Sequence, residues 1–460
     1  MKPAWRPILD YLQRNDRSEI WLLLAIVALP VDGTTLGIYA PFWSPISPAL
    51  FAVYCACNWR LLRLTMHRYT ALFMMPAALV VLSLPGWMVF GLHPNAAFMS
   101  LTGVIGALCT LAALDIAFEC KQLDWRPLMG LLIAAYWFAF AVGVVQWVAI
   151  RLDLTPVTGY FQHLMYRPYM NADSPWGGGR PQFLFAEPSY IGMHLFGVLL
   201  PLSWLMRTRD SVYATRLRHL IVVFAIGSVL MQAGTRIVID SVVALIVVIV
   251  EHIAWHESAE RRRGSLQLAG AGILGVLGVL ADSRLLSIAH HGAEGDGSFF
   301  ARIYQSLDPL CGLFAHPWTL LTGYGAGGIA EACRQGAARA AAILDGMGMD
   351  GDAALNFANG HTPDTVWTMC AYASVLAEYG LIGLALLVGA IIWYINVRQA
   401  WNKTMVCWLV LVAYLYIQCE NYAFAAIPLL IWGAALSNGA TRAPHTNAGA
   451  PAGERGCVVS

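Results

Sequence analysis

Along the chain, apolar stretches of membrane-crossing length alternate with short polar connections. A spanning helix needs roughly 17–25 mostly apolar residues. Such stretches are predicted near 20–40, 44–59, 70–90, 97–119, 127–150, 189–206, 219–233, 237–255, 266–282, 365–397, 404–419 and 422–437. The pattern predicts an all-α, polytopic integral membrane protein of about 12 transmembrane helices, with a large external loop between spans 9 and 10. The stretch 365–397 is too long for one crossing at about 1.5 Å per residue. It is expected to divide near Gly380 and Gly383. A cytoplasmic N-terminus (1–19), a membrane domain (20–437) and a disordered cytoplasmic tail (438–460) complete the organisation. No internal repeat of the kind that marks two-halved transporters is visible.

Composition agrees. Of 460 residues, 58% are hydrophobic and only 12% charged, against roughly 25% charged in soluble domains. The mean hydropathy is +0.60. Highly charged, weakly hydrophobic segments that would stay disordered are nearly absent. A net charge of +1 gives no global case for nucleic acid.

The placement of basic residues orients the chain. Lys and Arg gather on the cytoplasmic side of short loops. With both termini inside, 20 of the 28 basic residues fall on that side, in clusters such as Arg60, Arg63 and Arg68, or Arg207, Arg209, Arg216 and Arg218. The other eight are Arg151, Arg167, Arg180, Arg236, Arg284, Arg302, Arg334 and Arg339, with no lysine among them. Arginine suits oxyanions, because its planar fork holds phosphate oxygens in pairs and keeps its charge. Three stand out as binding candidates. Arg180 follows a run of glycines, Arg236 sits at the outer mouth of a span with Asp240 one turn further in, and Arg302 lies in the longest loop.

Two external segments, 151–188 and 283–364, far exceed the other connections, and loops of such length are functional or disordered. Their aromatic content and low net charge argue against disorder. Residues 326–344 have an Ala-rich helical composition, and 300–322 suit a position along the membrane surface. Glu187, in Phe185-Ala-Glu187-Pro188-Ser189-Tyr190, opens the sixth predicted span. It reads either as a simple helix start or as an ionisable site residue at the membrane boundary. His361 lies between Gly360 and Thr362 before the tenth span, as a loop histidine or a second candidate. Metal chemistry is not expected. Asp350-Gly-Asp352 fails calcium-loop spacing and reads as an acidic turn. Most of the ten cysteines fall within spans, whereas Cys311 and Cys333 share one external loop, where a disulfide is conceivable.

Several short motifs carry a family resemblance. Arg302-Ile-Tyr304, then Phe314-Ala-His316-Pro317-Trp318, then Gly323-Tyr324-Gly325-Ala-Gly-Gly328, together resemble the signature loop of the O-antigen polymerase and ligase family. Leu376-Ala-Glu378-Tyr379-Gly380-Leu-Ile-Gly383 looks like the end of the same region, and Glu187-Pro188-Ser189-Tyr190 is similar to a motif of exopolysaccharide repeat-unit polymerases. The likeness covers roughly residues 180–440. In the family a His commonly precedes the Glu of the final motif by about nine residues. Here that position is Met369, and the nearest His is His361.

The resemblance implies a GT-C type membrane glycosyltransferase of the bacterial inner membrane, using neither nucleotide nor metal and no cofactor. Its substrate would be an undecaprenyl-diphosphate-linked oligosaccharide, polymerised on the periplasmic face, with membrane lipid and a chain-length regulator as partners. Arg180, Arg236 and Arg302 would hold the diphosphate, Glu187 or His361 would act as general base, and Gly323, Gly325 and Gly328 would shape the loop. A ligase transferring glycan to lipid A core or protein is an alternative within the family. A lipid-linked oligosaccharide flippase or other secondary transporter is the alternative outside it.

Overall fold

A computed structural model describes residues 16–37, 45–171, 178–419 and 425–437. The outer part of the expected N-terminal segment (1–15) and the expected disordered tail (438–460) lie outside the described residues. Among the described residues the chain is all-helical, and its one β element is an isolated bridge between Thr34 and Met165.

Seven helices are long and apolar enough to cross a membrane. In chain order the elements are α1 (Glu19–Val27), α2 (Ser47–Cys57), α3 (Trp59–Arg68), α4 (Thr70–Phe90), α5 (Pro94–Cys120), α6 (Trp125–Arg151) and α7 (Thr155–Leu164). They continue with α8 (Pro188–Arg207), α9 (Ser211–Leu230), α10 (Thr235–His252), α11 (Ser258–Ala281), α12 (Ser283–His291) and α13 (Gly297–Gly312). The last are α14 (Thr319–Thr322), α15 (Ile329–Gly346), α16 (Asp352–Gly360), α17 (Ala371–Val397), α18 (Lys403–Gln418) and α19 (Ala426–Ser437). The seven long apolar helices are α4, α5, α6, α8, α9, α11 and α17, while α2, α18 and α19 are shorter apolar helices. α10 is of spanning length but carries Arg236, Asp240 and Glu251.

Five helix starts follow from local chemistry. Asp124, Asp210, Asp282, Asp296 and Asn402 each accept a backbone N–H of the first turn of α6, α9, α12, α13 and α18. Such caps satisfy donors that have no intrahelical partner. The stretch 20–40 departs from a single span. α1 stops at Val27, the chain turns through Leu29 and Pro30, and the N–H groups of Asp32 and Gly33 both donate to the Leu184 carbonyl. Proline lacks the N–H a helix needs and clashes with the preceding turn.

α8 is the central helix, with 94% of its apolar window buried, whereas α11 is peripheral at 11%. The ends of the bundle are chemically distinct. At one end Arg68 pairs with Asp115, Lys121 with Glu19, Arg126 with Asp210 and Arg207 with Glu251. At the other, the segments 152–171, 178–187 and 282–370 form a largely helical cap. There α13 packs on α15 so closely that a Cβ on Gly336 would meet the Asp308 carbonyl. Residues 300–322 therefore form part of a packed helical layer, with Phe300 and Cys311 buried. Cys311 and Cys333 are both buried free thiols.

The glycine motif and the Glu378 motif meet. Tyr324 and Gly325 donate to the carbonyls of Ala377 and Glu378, and Gly327 N–H donates to Glu378 Oε1 at 2.7 Å. Glu378 Oε2 accepts from Ser100 at 2.6 Å. α17 breaks at Gly380, whose φ of 63° places it against the Leu321 carbonyl. The long stretch thus divides where the sequence suggests. Gly323 has φ 71°, and a Cβ there would lie 2.4 Å from the Glu378 carbonyl. Gly323→Ala is expected to cost about 2 kcal/mol, read as a lowered melting temperature in detergent. Gly346→Ala, whose Cβ would meet open space, serves as control and leaves it unchanged. Equal melting of both variants would show that this seam does not hold the cap to the bundle.

Candidate functional site: a buried carboxylate among arginines

The segment from Arg180 to Glu187 is pinned by buried side chains. Gln146, on α6 and fully buried, accepts the N–H groups of Gln182 and Phe183 through Oε1 and donates to the Phe183 carbonyl at 2.7 Å. Gln182 accepts Tyr169 N–H at 2.8 Å and donates to the Phe185 carbonyl at 3.2 Å. Asp32 accepts Ala186 N–H at 2.8 Å. This clamp holds Phe183 at φ 62°, a left-handed conformation that is costly for a bulky side chain. Such strain persists only where its surroundings over-determine it, and it concentrates at functional sites.

Behind this segment lies a buried polar chain. His194 Nε2 is 3.2 Å from Asp32 Oδ2, and its Nδ1 is 2.9 Å from the Tyr136 hydroxyl. His194 belongs to a π-helical turn, Met193–Leu199, within α8, a rare geometry frequent at functional sites.

The clamped segment delivers Glu187 to the N-terminal start of α8, 5% exposed. Arg302 Nη2 donates to Glu187 Oε1 at 3.2 Å, Ser189 donates to the same oxygen at 2.6 Å, and Arg167 Nη1 stands 3.8 Å from Oε2. Oε2 accepts no hydrogen bond among the described residues. Burial pushes the Glu187 pKa up, but Arg302 and then Arg167, with the Ser189 hydroxyl, outweigh it and hold the carboxyl below its ordinary value. The Arg302 guanidinium also donates to Ser298, through Nη1, to both the carbonyl and the hydroxyl.

Further cations surround this pair. Arg180 lies over the Tyr169 ring at 5.1 Å, and burial together with the like charge of Arg284 lowers its pKa. Arg284 is tied to Asp296 at 2.5 Å. Among the described residues, Arg167, Arg180, Arg284 and Arg302 thus gather around two carboxylates, Glu187 and Asp296.

Arg236 differs. Its Nε lies 3.2 Å from Asp240, Nη2 donates to the Leu415 carbonyl at 3.1 Å, and Nη1 donates to the Gln418 carbonyl. Its fork therefore closes the C-terminal end of α18, where a cation meets orphan carbonyls. Asp240 accepts the Tyr414 hydroxyl at 2.8 Å. It also sits where a Cβ on Gly192 would be, 1.9 Å from Oδ2, so α8 and α10 touch at that point.

Of the residues singled out from sequence, Glu187, Arg180 and Arg302 come together, and Arg236 lies within electrostatic reach of Glu187. His361 stands apart. Its Nδ1 is 2.9 Å from the Phe357 carbonyl, and it packs edge-on to Trp367, which also lies under Arg167. Gly323, Gly325 and Gly328 belong to the seam with α17 and α4. Asp350 forms a turn in which its own carboxylate accepts the Asp352 N–H at 3.0 Å. Sequence reasoning passed over Arg167, Gln146 and Asp32. A glutamine inside an otherwise apolar span is the signal that marks Gln146.

A second buried carboxyl lies on α13, two turns beyond Arg302. Asp308 is fully buried, neither oxygen finds a hydrogen bond among the described residues, and burial pushes its pKa up to about 8. Cys311, Cys333 and Tyr304 lie around it. An acid whose folded pKa exceeds its unfolded value of 3.8 binds more protons folded than unfolded, so stability falls as pH rises between those values. Asp308→Asn is therefore expected to flatten the decline in melting temperature between pH 5 and about 8 and to raise stability at the upper end. An unchanged slope would place the proton elsewhere.

The chain matches no protein-family profile, and no curated protein resembles it.

Proposed function

We propose that the protein is a membrane glycosyltransferase that joins polyprenyl-diphosphate-linked oligosaccharides, extending a polysaccharide chain. The observation that carries this reading is the clustering of Arg167, Arg180 and Arg302 around the buried carboxylate of Glu187, at the end of the bundle where the long loops lie. A diphosphate leaving group develops charge that fixed cations can stabilise in a water-poor site. Arginine suits it because its fork binds paired oxygens. The family resemblance of the loop motifs supports the same reading. So does the distribution of basic residues, which favours twelve crossings of a bacterial inner membrane with both termini cytoplasmic and the caps periplasmic.

In this proposal Arg167, Arg180 and Arg302 hold the diphosphate, and Arg236 positions α10 against α18. Glu187 begins as the internal counter-ion of Arg302 and Arg167. An arriving diphosphate competes for those arginines, and the freed, buried carboxylate gains proton affinity. It can then accept the proton of the acceptor hydroxyl. The acceptor oxygen bonds to the anomeric carbon, the bond from that carbon to the diphosphate oxygen breaks, and the polyprenyl diphosphate departs with the electron pair. His361, bonded to backbone and screened by Trp367, serves to support the Arg167 side.

The experiment is chain extension by purified protein in detergent, with lipid-diphosphate-linked repeat units. Arg302→Ala is expected to slow extension by about 10²- to 10³-fold, and Glu187→Gln to abolish it, with both proteins still monodisperse. Normal polymer length in both variants would overturn the assignment. Transfer to lipid A core without chain growth would point to a ligase. Absence of any product from active wild-type membranes once solubilised would point to transport.

A further inference from the structure

A cleft at the other end of the bundle is walled by α1, α2, α5, α6, α8 and α19, and its lining is almost wholly apolar. Phe118, Trp125, Leu132, Val198, Leu202 and Trp432 are among the residues that form it. Among the described residues the one charged side chain on its wall is Arg209, just past the end of α8. Glu187 and Arg209 are separated by the length of α8, about 30 Å at 1.5 Å per residue. This feature is therefore independent of the arginine site.

The neighbouring cations are engaged: Arg207 with Glu251 at 2.5 Å, and Arg126 with Asp210 at 3.5 Å. Arg209 is exposed, and its side chain makes no hydrogen bond or ion pair among the described residues. The wall runs from Val198 to Arg209 along one helix, about 16 Å at 1.5 Å per residue. A long apolar slot thus ends in one uncommitted positive charge at the bundle's edge.

This combination narrows the occupant. A peptide segment would bring a row of backbone N–H and C=O groups, and a wall whose uncharged polar groups among the described residues are the Thr110 hydroxyl and the indole N–H groups of Trp125 and Trp432 could not satisfy them all. A neutral apolar molecule would have no use for the arginine. An aliphatic chain carrying an anionic head fits both, since arginine extends its stem along apolar surface and keeps its charge at the interface. We propose that the cleft is a lipid site, in which one acyl chain of an anionic phospholipid lies between α5, α6, α8 and α19 with its phosphate at Arg209.

The test is native mass spectrometry of the full-length protein in mild detergent, with phosphatidylglycerol and phosphatidylcholine offered in equal amounts. Wild type is expected to retain phosphatidylglycerol with a preference of about fivefold. Arg209→Ala keeps a bound lipid but loses the preference. Leu202→Trp, which fills the slot, retains neither. Equal retention of the two lipids by wild type, or wild-type retention by Leu202→Trp, overturns the proposal. Should Leu202→Trp fail to fold, Arg209→Ala decides alone, because its change lies on the exposed surface. Retention of a polyprenyl phosphate in preference to both phospholipids would likewise overturn it.

Discussion

One carboxylate taken out of water organises the capped end of this molecule. An isolated buried charge is too costly to persist, so it must neutralise or be matched. Glu187 is matched, and its partners come from far apart in the chain. Arg167 arrives from the connection before α8, Arg302 from α13, and Ser189 from the first turn of α8 itself. The two long connecting segments are thereby drawn onto the start of the most buried helix. Removing Glu187 would take from Arg302 and Arg167 the carboxylate they share.

The surroundings make that geometry rigid. Gln146, Gln182 and Asp32 supply the hydrogen bonds that an irregular backbone segment would otherwise seek from water, and they hold Phe183 in its strained conformation. Asp32 joins the short first helix to this segment, which explains why the chain leaves α1 early. Arg236 and Asp240 perform a parallel task between α10, α8 and α18, so the catalytic proposal rests on three arginines and one carboxylate inside a frame held by other polar residues.

Much of the fold was legible because lipid imposes a simple rule on sequence. Long apolar stretches had to become helices, and Asp or Asn caps mark the starts of α6, α9 and α18. The break at Gly380 was visible as excess length. The early end of α1 was not, because it depends on Asp32 meeting a segment some 150 positions away. At the candidate site, residue type and place in the chain singled out Arg180, Arg302 and Glu187, which the fold brings together. Arg167 looked no different from its neighbours, since only tertiary structure brings it to Glu187. Arg236 stood out by its place in the chain, yet its fork is spent on helix carbonyls. The glycine motif also drew notice by its letters, and its work is close backbone contact with Glu378.

The central claim is that Glu187 and a diphosphate compete for the same arginines. It is tested most directly by titrating purified wild type and Glu187→Gln with a water-soluble prenyl diphosphate in a calorimeter. Loss of the internal counter-ion is expected to tighten binding by about tenfold, equivalent to roughly 1.4 kcal/mol. Equal or weaker binding by Glu187→Gln would contradict the account.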